Sequence, residues 1–201
     1  MCDKGNHAVE TKTPQGVIIA GPNGSGKSTC ATLLLPDHFT FVNADMIAQE
    51  ISGIASTTAD LRAGRILLQK LKELESQSAD FALETTLANS ALGKHIQRLR
   101  TNGYETHLIF LWLPNDELAW QRVMSRVKAG GHLVPEETVR RRYTRGIRNF
   151  FRPYRDLFDS WRIYDNSRVN EPELIASGKI NGPIEVKMKD HWDKIMEEYN
   201  S

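Results

Sequence analysis

Short apolar runs alternate with longer amphipathic stretches along most of this chain. Gly16–Ala20, Phe39–Val42, Phe81–Leu83, His107–Leu113 and Trp161–Tyr164 are rich in β-branched and aromatic residues, and polar or turn-forming residues bound them. Runs of this length and composition predict short buried strands. Between them the apolar positions take helical spacing. Leu61, Ile66, Leu67, Leu71 and Leu74 recur among charged residues, and such spacing gives a helix one apolar face. Ala91–Thr101 ends at Asn102-Gly103, Asp116–Val127 follows, and Glu136–Phe158 predicts a long basic helix that Pro153 kinks or ends. Strands separated by helices of ten residues or more require crossover connections. The expected fold is therefore α/β: a three-layer α/β/α arrangement around a parallel sheet of about five strands. Ile184–Met188 alternates like an exposed strand, and Trp192–Tyr199 suits a last helix. Residues 1–15 are polar and aperiodic and read as a flexible tail, with residues 16–201 as a single domain.

The chemistry begins after the first strand. Gly21-Pro22-Asn23-Gly24-Ser25-Gly26-Lys27-Ser28-Thr29 matches G-x-x-x-x-G-K-[ST] at every fixed position. In such a loop the glycines let successive N–H groups turn inward onto phosphate oxygens, and the following helix presents its positive N-terminus to the same anion. Lys27 then reaches the β- and γ-phosphates, and the Ser28 hydroxyl ligates Mg²⁺. ATP and Mg²⁺ are the expected cofactors. The chain contains no guanine-reading Asn/Thr-Lys-x-Asp motif and no transporter-type Leu-Ser-Gly-Gly-Gln signature. A small kinase remains, of P-loop type with an arginine-bearing lid.

Such a kinase needs a base, an acceptor site and a phosphate clamp. Asp45 ends the second predicted strand, where ligands of a doubly wound sheet lie, and can take the proton of an attacking hydroxyl; an aspartate there also suits a helix N-cap. Glu84 ends the third strand and can hold Mg²⁺ or grip an acceptor hydroxyl, with Thr85 and Thr86 beside it. Arg122–Arg142 has the composition of a lid: two arginine-bearing helices joined through Gly130-Gly131-His132. His132 at that hinge is a candidate substrate contact. Between Arg140 and Arg155 stand seven arginines. Arg141, Arg145, Arg148, Arg152 and Arg155 fall on one helical face and read as a solvated stripe, whereas Arg140 and Arg142 fall outside it.

Composition narrows the setting. Hydrophobic residues make up 40% and charged residues 25% of 201 positions, and 26 Lys+Arg against 25 Asp+Glu leave a formal net charge of +1. That balance, with no aromatic platform among the arginines, speaks against nucleic acid as a partner. No run approaches the roughly 20 apolar residues of a membrane span, and nothing at the N-terminus resembles a signal peptide. Two cysteines, Cys2 and Cys30, exclude a disulfide framework. A cytoplasmic protein is expected, with no membrane partner.

Four segments together resemble the zeta-toxin-like P-loop kinases, in particular their short stand-alone bacterial branch: Gly21–Thr29, Val42-Asn43-Ala44-Asp45, Glu84-Thr85-Thr86-Leu87, and Gly130–Pro135 with Arg141-Arg142-Tyr143 and Asn149. The resemblance runs from about Val17 to Ala176. It implies transfer of the ATP γ-phosphoryl to a hydroxyl of a small molecule, such as the nucleotide sugar UDP-N-acetylglucosamine. It further implies Asp45 as the base, Lys27 and Ser28 on phosphate and Mg²⁺, Glu84 and Thr86 near acceptor and metal, and Arg126 and Arg142 as clamping arginines. Asp165-Asn166-Ser167 resembles the family's last-strand motif, which assigns Asn166 to nucleotide binding, and an antitoxin protein is the implied partner. The chain departs from the family in its short length, in Thr85 where toxins carry glycine, and in its lid. Two other readings stay open: a nucleic-acid-end kinase, and a non-catalytic ATP-binding switch or interaction module.

Overall fold

All five apolar runs become neighbouring strands of one sheet. The computed structural model describes residues 12–43, 47, 57–90, 92–168 and 171–199. Asp45 and the helix start expected near Met46 lie outside the described residues. The strands are β1 (Gln15–Ala20), β2 (Thr40–Asn43), β3 (Phe81–Thr85), β4 (Glu105–Trp112), β5 (Ser160–Asp165), β6 (Glu173–Lys179) and β7 (Ile184–Val186). Their order across the sheet is β2-β3-β1-β4-β5-β6-β7. The first five run parallel, and β6 and β7 continue the sheet antiparallel. The sheet therefore has seven strands, not five. The exposed strand expected over Ile184–Met188 is present, but β6 follows no clean period: Ile175 and Ala176 are both buried where its register against β5 shifts between Ile163 and Tyr164, and Gly178 packs its backbone against the Trp161 indole where a side chain would collide.

The helices are α1 (Lys27–Leu34), α2 (Thr57–Ser76), α3 (Leu92–Thr101), α4 (Asp116–Lys128), α5 (Glu136–Asn149) and α6 (Lys189–Tyr199). Strands covered on both faces need apolar residues at successive positions, which is why the runs show no alternation. Ile18, Ala20, Leu108, Phe110 and Ile163 face a core shared with Leu71, Leu74, Ile96, Leu99 and Ile147 of α2, α3 and α5. Val17, Ile19, Ile109 and Leu111 face the other way, onto Cys30 and Ala31 of α1. From α6, Trp192 stacks on Trp161 with ring centroids 5.9 Å apart, so the C-terminal segment covers the flank of β5.

The long basic helix breaks earlier than its periodicity predicts. α5 stops at Asn149, and a π-type turn over Phe150–Tyr154 follows. Arg152 there takes extended backbone angles, φ −145° and ψ 112°, as a residue preceding proline tends to do. The turn buries Phe150, Phe151 and Tyr154. The break also overturns one expectation about the stripe: Arg155 is half-buried, with its guanidinium 5.8 Å from the ring centroids of both Phe151 and Trp161. At the other end of the chain, part of the expected tail is tied down. The Gln15 N–H donates to Asp80 at 2.7 Å, the Glu105 N–H donates to the Pro14 carbonyl at 3.0 Å, and Lys12 pairs with Asp80 at 2.8 Å.

Candidate active site

The parallel strands all end on one edge, and β1, the central strand, delivers the glycine-rich loop there. Three glycines of the loop take positive φ: Gly21 at 144°, Gly24 at 78° and Gly26 at 82°. Space forbids a side chain as firmly as the backbone does. A Cβ on Gly21 would stand 2.4 Å from the Leu111 carbonyl oxygen, one on Gly24 2.6 Å from that of Ala119, and one on Gly26 2.8 Å from Asn166 Nδ2. The loop is thus pressed between β4, α4 and the end of β5. Gly26 caps α1, which begins at Lys27 with its first N–H groups directed toward the loop.

Lys27 is 6% exposed and curls back over the loop, its Nζ donating to the Pro22 carbonyl at 2.9 Å. The same ammonium lies 3.6 Å from Glu84 Oε1. Glu84 Oε2 accepts from Ser28 Oγ at 2.7 Å and from Asn43 Nδ2 at 2.9 Å. The ends of β2 and β3 and the start of α1 therefore meet on one carboxylate. These are hard oxygen donors, a hydroxyl and a carboxylate, beside a phosphate loop. The set suits Mg²⁺, which takes one or two protein ligands and completes its shell with phosphate oxygens and water. Among the described residues no group of three or more His, Cys, Asp or Glu could hold a metal by itself. Thr29, the last loop residue, faces solvent.

Asn166 and Arg122 anchor the loop from the far side. Asn166 Nδ2 donates to the Ser25 carbonyl at 2.6 Å. The Arg122 guanidinium donates to the carbonyls of Asn166 at 2.8 Å and Ser167 at 2.7 Å, and its Cβ packs on Gly24. Burial pulls the Arg122 pKa below the usual arginine range, while the nearby Asp165 carboxylate works the other way. Asn23 Oδ1, Ser25 Oγ and Asn166 Oδ1 are buried without a hydrogen-bond partner among the described residues. Buried polar groups are nearly always hydrogen-bonded, so an unpaired one calls for a partner such as water, an ion or a ligand. Around a phosphate loop these atoms fit a nucleotide.

The lid residues separate. α4 ends in a Schellman turn: the Gly131 N–H donates to the Arg126 carbonyl and the Gly130 N–H to that of Val127, both at 2.9 Å, and Gly130 has φ 89°. Arg126 donates to the His132 carbonyl at 3.1 Å, so its hydrogen bond stays within the α4–α5 connection and does not reach the phosphate loop. The His132 side chain is exposed. Arg140, outside the stripe as expected, gathers Asp116, Glu117 and Glu136 at 3.1, 2.7 and 2.6 Å and ties α4 to α5.

α5 approaches the end of β3 through Gly146. A Cβ there would stand 2.4 Å from the Thr86 carbonyl oxygen, and one turn on Asn149 Nδ2 donates to the Leu87 carbonyl at 2.6 Å. Arg142 lies one turn before Gly146 on that flank and is half-buried. Thr86 is half-buried, and Thr85 Oγ1 accepts from the Leu87 N–H at 3.1 Å to shape the turn. Glu84 and Thr86 at the end of β3 thus face the flank of α5 that carries Gly146. Sequence reasoning assigned no role to Asn43 and did not find the anchoring role of Arg122. The position of Asn43 at a strand end was a usable signal, whereas the carbonyls held by Arg122 lie 44 and 45 residues away along the chain.

Comparison with known proteins matches residues 2–173 to the zeta toxin family. An uncharacterized protein of Haemophilus influenzae is 30% identical over 129 residues, which cover 64% of this chain and 92% of that one. Among solved structures, one from the PezAT chromosomal toxin–antitoxin system of Streptococcus pneumoniae aligns with a TM-score of 0.67 at 17% identity, covering 95% of this chain and 80% of that one. AvrRxo1-ORF1:-ORF2 with ATP aligns with a TM-score of 0.71 at 19% identity, covering 91% and 63%. At these identities the two structures show a shared fold.

Proposed function

The chain belongs to the zeta-toxin family, and from that premise we propose that it is an ATP-dependent phosphotransferase acting on a hydroxyl group of a small molecule, with nucleotide sugars the first acceptors to test. One arrangement carries the reading: Ser28 Oγ sits 2.7 Å from Glu84 Oε2 while Lys27 Nζ stands 3.6 Å from Glu84 Oε1. A phosphate-binding lysine paired with, and a Mg²⁺-ligating hydroxyl hydrogen-bonded to, one carboxylate at the strand edge form the working set of a phosphoryl-transfer site.

In the proposed reaction the acceptor oxygen attacks the γ-phosphorus, the bond to the β–γ bridging oxygen breaks, and ADP leaves. Loop N–H groups and Lys27 bind the phosphates. Ser28 and Glu84 would hold Mg²⁺, which when bound neutralises charge on the β- and γ-phosphates. Asp45 takes the proton of the attacking hydroxyl. Thr86 contacts the acceptor, and Arg142 places its planar donors on the transferring group from α5. His132 is retained only as an acceptor contact that requires the α4–α5 connection to move. An antitoxin is the partner class that the family and the PezAT likeness suggest.

The test incubates the protein with Mg-ATP and either nucleotide sugars or a metabolite extract, then identifies phosphorylated species by mass spectrometry. Acceptor-dependent ADP release that disappears in Lys27→Ala supports the reading. ATP binding without acceptor-dependent turnover would make the chain a nucleotide-binding switch instead.

A further inference from the structure

The arginines of α5 are not equivalent once their partners are known. Arg140 has three carboxylates, and Arg98, Arg100 and Arg168 have one each. Arg141, Arg145 and Arg148 are exposed and form no ion pair among the described residues; the hydrogen bond of Arg141 goes to the Thr138 hydroxyl at 3.4 Å. The near-neutral balance of the whole chain thus averages over acids committed elsewhere, and it hides a row of uncompensated cations.

The position of the row is set by its neighbours. Gly146 and Asn149 touch Thr86 and Leu87 on one flank of α5, while Arg140 points from the opposite flank to α4. At 100° per residue, Arg145 lies about 40° beyond Asn149, and Arg141 and Arg148 fall on the solvent face midway between the two flanks. The row therefore borders the Thr86 flank at Arg145 and runs along the solvent face of α5. With a rise of 1.5 Å per residue it extends about 10 Å. A diphosphate, whose two phosphorus atoms share one oxygen, covers a single arginine spacing. A row of three needs phosphates repeated along a chain.

We propose that Arg141, Arg145 and Arg148 form a track for the phosphodiester backbone of a single-stranded nucleic acid, and that a terminal hydroxyl of that strand is a further acceptor at the site. This rests on the phosphotransferase reading for its second half. The terminal oxygen forms the new bond to the γ-phosphorus of ATP, ADP departs, and the hydroxyl proton passes to the base. No aromatic side chain is exposed on α5, so the track reads charge and not bases.

Fluorescence anisotropy with labelled ten-nucleotide DNA and RNA strands, without ATP, tests the track. Three phosphate contacts on a single strand predict a log–log salt slope of about −2, hence a loss of about twentyfold between 50 and 200 mM salt. Arg145→Gln and Arg148→Gln should each lessen the slope by about 0.7; Lys70→Gln and Lys72→Gln, exposed on α2, should leave it unchanged. Oligo-dT and oligo-dA should bind alike. Transfer of labelled phosphate from ATP to strands with free terminal hydroxyls tests the second half. Absent or salt-insensitive binding, binding that ignores Arg145 and Arg148, tighter binding of an acidic peptide than of the strands, or label appearing on nucleotide sugars and never on strands would each overturn the proposal. Only the last of these leaves the phosphotransferase reading standing on positive data, and loss of label from every acceptor would instead indict that reading.

Discussion

The carboxamide of Asn166 holds the carbonyl of Ser25 at 2.6 Å, across 141 residues of sequence. This bond fastens the end of β5 to the centre of the phosphate loop, and Arg122 fastens the same turn to α4 through two further carbonyls. The loop's shape therefore depends on three elements besides its own glycines.

Asn166→Ala leaves the Ser25 carbonyl without its donor, a buried loss of about 1–3 kcal/mol. ATP affinity measured by calorimetry should fall together with Tm. Arg122→Lys keeps a cation but cannot span two carbonyls, so it should weaken ATP binding in the same way. Unchanged ATP affinity in both variants would show that the loop holds its shape unaided.

Glu84→Gln keeps the size of the side chain and removes its charge. Metal-free ATP should bind as well as before or more tightly, since a negative group beside the phosphates is gone. The apparent affinity for Mg²⁺ in turnover should fall about 10- to 100-fold. Titrating Mg²⁺ at saturating ATP separates this outcome from a general loss of folding, which would weaken both.

Asp45→Asn tests the base against the cap, because asparagine caps helices as well as aspartate does. Turnover should drop at least about a hundredfold with Tm and Mg-ATP affinity near those of the parent. A large fall in Tm with activity intact would assign Asp45 to structure.

Arg142 and Arg155 should respond differently. Arg142→Lys loses the planar fork on α5, so turnover falls more than ATP affinity. Arg155→Ala removes a guanidinium packed over Phe151 and Trp161. That should cost about 1 kcal/mol, or about 2–4 °C in Tm, with little change in kcat. Steady-state kinetics and a melting curve on each variant decide the assignment.

Stability should fall on mild acidification. Burial, followed by the Arg98 charge, pushes the His95 pKa below its ordinary 6.5, and burial also lowers that of His107. The fold prefers both rings neutral. Their contribution is present above the unfolded value near 6.5 and is lost as pH falls through the lower folded values. Tm should be flat above about pH 7 and decline below pH 6.5, before Glu75, Asp80 and Asp159, whose pKa values are lowered by their hydrogen-bonding partners against the opposing effect of burial, begin to take up protons. A variant with glutamine at His95 should decline less steeply.

The local pattern carried much of this molecule. Five apolar runs and the helical spacing between them determined a parallel α/β sheet, because strands buried on both faces and one-sided helices leave distinct signatures. Gly21–Thr29 determined a phosphate loop, because each fixed residue answers a local demand of backbone turn, charge or hydroxyl. Chain order likewise brought Asn43 and Glu84 to the ends of adjacent strands. What depended on distant partners was not legible. Arg122 and Arg126 look alike on one helix face, yet one holds the carbonyls of Asn166 and Ser167 and the other that of His132. Arg148 and Arg155 share a stripe in the sequence, but the turn at Phe150–Tyr154 leaves one in solvent and folds the other over Trp161. Strand β6 appears only through its pairing with β5. Helix and strand periods arise from contacts within one element, whereas the role of a long charged side chain is set by whichever element packs beside it, and that is a property of the tertiary fold.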